Sequence, residues 1–273
     1  MSLQNALEFY FVFDGLEFEQ KYNDIFEAIN AEILTKFKTH KDKFNFFNHD
    51  KECKTVLKKL ARSDRKRFSI TRQIPRHLAP KIINLLTQSQ IIKIEKSKEE
   101  KIIKDKHKKL KKELRRYQIQ DKIHFCNNFT RFWFRFCEPN LHLLQNGEFQ
   151  KVLKIISNEL DYYFSLPFEL ACIDFLAHIL NLPKNEITSY WDKNSEIDIF
   201  IDYGGFIIVG EVKYKSKKVC KDVLNLLMKK CEKIAIEPDF YALFSRSGFS
   251  WDLSALKNDK ILLFELSDFK ELL

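Results

Sequence analysis

The sequence predicts a mixed α/β fold, α+β overall, in which a helical N-terminal region precedes a central mixed sheet flanked by helices. Three observations predict it. Only six Gly and six Pro occur in 273 residues, too few turn-formers for an all-β architecture. Apolar residues recur at helical spacing through the first third of the chain. The C-terminal part then alternates helical patterns with short apolar strands, the order of a small α/β domain with a mixed sheet.

Composition bounds the function. Hydrophobic residues make up 45% and charged residues 31%, proportions with which a soluble chain buries a core. A net charge of +9 favours polyanionic partners such as nucleic acid, acidic surfaces or acidic proteins, although solubility alone accounts for charge of this size. The six cysteines form no C-x-x-C pair and have no zinc-finger spacing with histidines, the pattern of reduced thiols in the cytoplasm. Acidic residues interrupt the N-terminal apolar stretch, so no secretory signal is expected. No apolar run approaches the roughly 20 residues of a membrane span. The aromatic run at 129–136 is short and holds Arg131 and Arg135.

Taken in order, residues 1–48 form a helical N-terminal segment. Within it Tyr22, Ile25, Phe26, Ile29, Ile33, Leu34 and Phe37 predict an amphipathic helix over 19–37. Residues 49–116 read as a basic, winged-helix-like region, with helices over 50–62 and 77–90 and a short strand over 91–94. Pro80 is tolerated in the first turn of the second helix. Residues 93–116 hold twelve Lys or Arg against five Asp or Glu. Lys108, Lys109, Lys111, Lys112, Arg115 and Arg116 are the densest part and the candidate phosphate contacts, with a solvated helix as the competing reading. Residues 117–147 form an aromatic connector closed by the Asn146-Gly147 turn.

Residues 148–273 form the last domain. Helices are predicted over 148–161 and 166–181, the second started at Pro167. Strands follow at 197–201 and 206–212, joined by a hairpin turn at Tyr203-Gly204-Gly205. A helix over 217–235 and strands at 240–244 and 260–264 complete it.

The chemistry concentrates in the hairpin. Its first strand reads Glu196-Ile197-Asp198-Ile199-Phe200 and its second Val209-Gly210-Glu211-Val212-Lys213. Alternation places Glu196 with Asp198 on one face of the first strand, and Glu211 with Lys213 on one face of the second. The turn brings those faces side by side. Clustered carboxylates repel and raise one another's pKa, and a divalent cation relieves the repulsion. The oxygen donors suit Mg²⁺ or Mn²⁺, which lower the pKa of bound water, and a neighbouring lysine stabilises developing charge. These are the parts of phosphodiester hydrolysis. A salt-bridged strand pair in which Lys213 neutralises Glu211 is the structural alternative.

An acid in an apolar strand, a hairpin, then E-x-K in the next strand resembles the PD-(D/E)XK nuclease superfamily. The resemblance implies a restriction-endonuclease-like domain in which Asp198 and Glu211 bind the metal and Lys213 assists catalysis. It adds Glu169, on the preceding helix, as a further metal ligand and leaves Glu196 supporting the ligands from behind. Several motifs also resemble the C-terminal region of archaeal-type ATPases, where a winged-helix segment precedes a nuclease-like domain. They are Tyr117-Gln118-Ile119-Gln120-Asp121, Phe132-Trp133-Phe134-Arg135-Phe136, Pro139-Asn140, Trp191-Asp192 and Phe244-Ser245-Arg246-Ser247-Gly248-Phe249. Those relatives carry a P-loop ATPase, and this sequence contains no G-x-x-x-x-G-K-[ST], so ATP-driven action by this chain alone is not expected.

The expected function is therefore a Mg²⁺- or Mn²⁺-dependent DNA endonuclease with an N-terminal DNA-binding region. The alternatives are a catalytically idle DNA-binding protein and an interaction module serving a separate ATPase. DNA, a second copy of the chain and such an ATPase are the partners considered, and no membrane. Trp191 and Trp251 flank the site; core packing is the expected role of both, with base stacking the alternative. His124 and His142 are isolated and are not expected to bind metal.

Overall fold

The structure is a computed structural model and describes residues 2–62, 65–99, 117–256 and 258–272. The chain divides into two compact units, Met1–Lys96 with Gln120–Phe164, and Ser97–Ile119 with Ser165–Leu273. The fold is mixed α and β: a mainly helical N-terminal region with a small two-stranded sheet, then a domain built on a five-stranded mixed sheet.

In the first unit, helix α1 (Leu3–Phe13) is followed by α2 (Ile25–Ala28), which continues into a π-helical stretch at Ile29–Leu34. The helix expected over 19–37 starts at residue 25, because Asp24 caps it: its carboxylate accepts the Glu27 N–H at 2.8 Å. Tyr22 lies outside the helix and is buried nonetheless, its hydroxyl donating to the Glu32 carboxylate at 2.6 Å. Helices α3 (Phe37–Lys43), α4 (Asp50–Arg62), α5 (Arg67–Ile70) and α6 (Ala79–Gln88) follow, with Pro80 in the first turn of α6. Strand β1 (Ile92–Glu95) pairs antiparallel with β2 (Lys122–Phe125). Sequence reading missed β2, because its alternation of Lys122 and His124 with Ile123 and Phe125 runs over only four residues, inside a stretch read as an aromatic connector.

Helices α7 (Asn128–Phe132) and α8 (Leu141–Gln145) flank a second π-helical stretch at Trp133–Cys137. The aromatic run between them is core: Phe132, Trp133, Phe134 and Phe136 are all buried. Trp133 meets Phe44 with centroids 5.7 Å apart, and Tyr163 donates its hydroxyl to the carbonyls of Phe11 and Asn128.

Helix α9 (Phe149–Ile179) is one continuous helix with Pro167 in its interior, where the sequence predicted two helices parted at the proline. The apolar stripe overrides the break. Tyr163, Phe164, Phe168, Cys172 and Phe175 are buried at helical spacing on both sides of Pro167, so the burial lost by ending the helix there exceeds the one hydrogen bond a proline removes.

The second unit holds strands β3 (Ile187–Trp191), β4 (Glu196–Tyr203), β5 (Phe206–Lys213), β6 (Phe240–Ser245) and β7 (Ile261–Glu265) in that spatial order. The first three are antiparallel neighbours, and β6 and β7 add in parallel. The last turns of α9 cover one face, where Phe175 meets Phe244 and Phe264, and Phe168 meets Tyr214. Helix α10 (Lys221–Lys233) covers the other, packing Leu224, Leu227 and Cys231 against Phe200, Val209 and Leu243. A short helix α11 (Trp251–Ser254) follows β6. The edge strand β3 was not anticipated: its buried positions include Ser189, a polar residue that blurs the apolar alternation.

Candidate active site

The β4–β5 hairpin sets the site. Gly204 and Gly205 have φ of 63° and 82°, and a two-residue turn with positive φ at both centres matches the twist of the strands it joins. The turn fixes the register from Tyr203↔Phe206 to Ile199↔Gly210. Carried one step further, that register sets Asp198 opposite Glu211. The backbone ladder ends there, and the Asp198 carboxylate instead accepts the Val212 N–H at 2.9 Å. Gly210 precedes Glu211 because the strands close tightly at this point. A Cβ at Gly210 would stand 3.0 Å from the Ala242 carbonyl and 3.0 Å from the Ile199 Cβ.

Glu211 is buried, and each of its oxygens is held by a lysine. Lys213, at the end of β5, donates to Oε1 at 2.6 Å, and Lys230, on α10, donates to Oε2 at 2.6 Å. Burial opposes the Lys213 ammonium, yet the charge and hydrogen bond of Glu211, with Asp198 and Glu169 behind them, push its pKa up. It remains a cation throughout the neutral range.

Asp198 behaves in the opposite way. Burial first, then the charges of Glu169 and Glu211, push its pKa up to about 7, against the pull of the Val212 N–H and Lys213. Glu169, on α9, is thus the third carboxylate of the group. Cys172, one turn further along α9, lies beneath it: burial and then the charges of Glu169 and Asp198 hold its thiol well above its ordinary pKa. Both lysines bind Glu211, so the repulsion among the carboxylates is felt most at Asp198.

The structure thus brings Asp198, Glu211, Lys213 and Glu169 together. Glu196 opens β4 opposite Trp191 and is exposed. Lys108, Lys109, Lys111, Lys112, Arg115 and Arg116 lie outside the described residues. Lys230, which the sequence alone puts with Lys229 and Lys233 on a DNA-facing or solvated side of its helix, is instead held at Glu211. The signal was its position between the buried Leu227 and Cys231, where the turn of α10 directs a lysine inward.

Oxygen donors from Asp198, Glu169 and Glu211 fit a hard divalent cation in kind, and the repulsion at Asp198 is what such an ion relieves. Among the described residues, no three Asp, Glu, His or Cys side chains stand at ligand spacing, both Glu211 oxygens being taken by lysines. Elsewhere, His124 has protein partners for both ring nitrogens, Glu95 at 2.7 Å and Arg65 at 3.3 Å. No described helix is long and apolar enough to cross a membrane.

Residues 133–233 match the model of a family described as archaeal and bacterial proteins of unknown function (DUF234), a span that contains Glu169, Asp198, Glu211, Lys213 and Lys230. No solved structure matches the chain. An uncharacterized protein of Methanocaldococcus jannaschii is 27% identical over 165 residues, which cover 56% of this chain and 35% of that protein. The chain spans about a third of the length of the curated relative it matches.

Proposed function

We propose that the chain is a divalent-metal-dependent deoxyribonuclease of the PD-(D/E)XK kind, with its N-terminal helical region as a DNA-binding element. The observation that carries the reading is Asp198: a carboxylate buried against two others, anchored by the Val212 N–H, on the strand next to an E-x-K. A fold gains nothing in stability from leaving that repulsion unrelieved, and unrelieved charge of this sort gathers where chemistry is done.

Asp198, Glu169 and Glu211 would hold Mg²⁺ or Mn²⁺, which when bound supplies a more acidic water and neutralises phosphate charge. The rest falls to the chain's own residues. The Val212 N–H fixes the Asp198 carboxylate by its Oδ2, which orients the other oxygen. Lys213 stays protonated, so it donates a hydrogen bond to the attacking water or the developing phosphorane oxygen rather than taking a proton. Lys230 holds Glu211 in place through its Oε2.

A second reading has its own observation. Glu211 is fully engaged by two lysines, as in a structural ion-pair group, and this favours an idle nuclease fold that only binds DNA. One experiment separates the two. Plasmid, linear duplex, single-stranded and branched DNA are incubated with Mg²⁺, Mn²⁺ or EDTA and the wild-type, Asp198→Asn or Lys213→Met protein. Cleavage that needs the metal and disappears in both variants supports the nuclease. Retarded but uncut DNA in every lane sinks it in favour of the idle fold.

A further inference from the structure

Core packing is the ordinary fate of a tryptophan, and two of the three here follow it: Trp133 and Trp191 are 0% and 1% exposed. Trp251 is 85% exposed. The sequence-based expectation that it packs in the core is therefore wrong. Its neighbours took the core places, Phe249 and Leu253 being buried on either side of it.

The indole stands on a firmly held seat. After β6 the chain turns back along the exit of β5. The Arg246 N–H donates to the Lys213 carbonyl at 3.1 Å, and the Ser247 hydroxyl to that of Lys215 at 2.7 Å. The Val219 N–H donates to the Gly248 carbonyl, and the Ser250 N–H returns a bond to the Val219 carbonyl. The Ser245 hydroxyl closes the loop on the Gly248 carbonyl at 2.7 Å. A mobile tip would leave an exposed indole without consequence; this one is tethered from both sides.

The loop tied to it is rich in lysine, with Asp252 and Asp222 the acids nearby in sequence. The loop joined to this seat leaves β5 at Lys213 and carries Lys215, Lys217, Lys218 and Lys221, all exposed. A fixed aromatic face among lysines, beside the strand end that carries the proposed catalytic lysine, matches an unpaired nucleotide: the base stacks on the ring and the phosphates meet the ammonium groups. A protein partner needs a wider apolar surface than one indole.

We propose that Trp251 is a base-stacking platform for an unpaired nucleotide, with Lys215, Lys217, Lys218 and Lys221 as its phosphate contacts. The inference takes the chemistry of its ligand from the nuclease reading, but binding without metal tests it separately. The probe is a short oligothymidylate titrated in EDTA, read by tryptophan emission and by anisotropy of a labelled copy. Trp251 is the one exposed tryptophan, so stacking quenches the long-wavelength emission. Trp251→Ala, a surface change that leaves the fold intact, should abolish the quench and weaken binding roughly ten-fold or more. Trp251→Phe should keep most of the affinity. Blunt duplex of equal length should quench little.

Unchanged affinity in Trp251→Ala overturns the proposal, as does equal quenching by duplex. Quenching by phosphatidylserine vesicles without any by the oligonucleotide overturns it in favour of a membrane surface. Restoring Mg²⁺ to the same samples reports cleavage independently, so loss of one reading is distinguishable from loss of the other.

Discussion

Replacing Asp198 with Asn should make the metal-free protein more stable at pH 8 and leave it nearly unchanged at pH 4. In the fold this carboxyl keeps its proton to about pH 7, whereas its ordinary value is 3.8. Between those values the folded state binds more protons than the unfolded one, so wild-type stability falls as pH rises from about 4 and levels off above about 7. A gap of about three pH units corresponds to about 4 kcal/mol, an upper figure because the folded protein relaxes around the charge. Asn removes the titration and its side-chain oxygen still accepts the Val212 N–H. The variant should therefore gain up to about 10 °C in melting temperature at pH 8, with the advantage shrinking steadily toward pH 4. Scanning calorimetry over that range, in EDTA, measures it. A variant that melts with wild type at pH 8, or an offset independent of pH, would show that Asp198 carries no unrelieved charge and would refute the electrostatic argument for the site.

Other outcomes follow from the same geometry. Lys230→Met leaves the buried Glu211 with Lys213 alone and should cost about 2–3 kcal/mol, less than the full loss of a buried pair, read as a lower urea midpoint; an unchanged midpoint would mean that Lys230 does not hold Glu211 in solution. Gly210→Ala pushes a methyl against the Ala242 carbonyl and the Ile199 side chain and should destabilise by about 1–3 kcal/mol in thermal melts, and a neutral result would contradict the tight strand closure. Thiol titration of the native protein should modify Cys126 and Cys220 quickly and Cys53, Cys137, Cys172 and Cys231 only after unfolding, since those four are buried. Rapid labelling of all six would mean the cores are open.

Where a single local pattern dominates, the sequence was readable. Alternation between acids and aliphatics, two glycines and a second apolar run located the β4–β5 hairpin to within a residue or two, and with it the opposition of Asp198 and Glu211. Long apolar spacing located α4 and α10 in the same way. Local pattern failed where burial is decided at a distance. Pro167 was read as a break because propensity is local, while the stripe from Tyr163 to Phe175 is held by packing along the whole helix. Strand β2 alternates over four residues only, and burial of Lys122 and His124 on its other face is decided by the fold. Trp251 was assigned to the core by residue type, and only the three-dimensional course of the chain shows Phe249 and Leu253 occupying the places it would have taken. Lys230 lies seventeen residues beyond Lys213 in sequence, and only the fold of α10 across the sheet brings it to Glu211.

If the carboxylates around Asp198 hold a catalytic divalent cation, the ion must bind there without DNA. The most direct test is the Mn²⁺ binding isotherm, read from the loss of the free-ion paramagnetic resonance signal, for wild type, Asp198→Asn and Lys213→Met. Wild type should bind the ion saturably, Asp198→Asn should lose it, and Lys213→Met should bind it and yet leave DNA uncut. Equal binding by wild type and Asp198→Asn, or none by wild type, would contradict a cation held at Asp198.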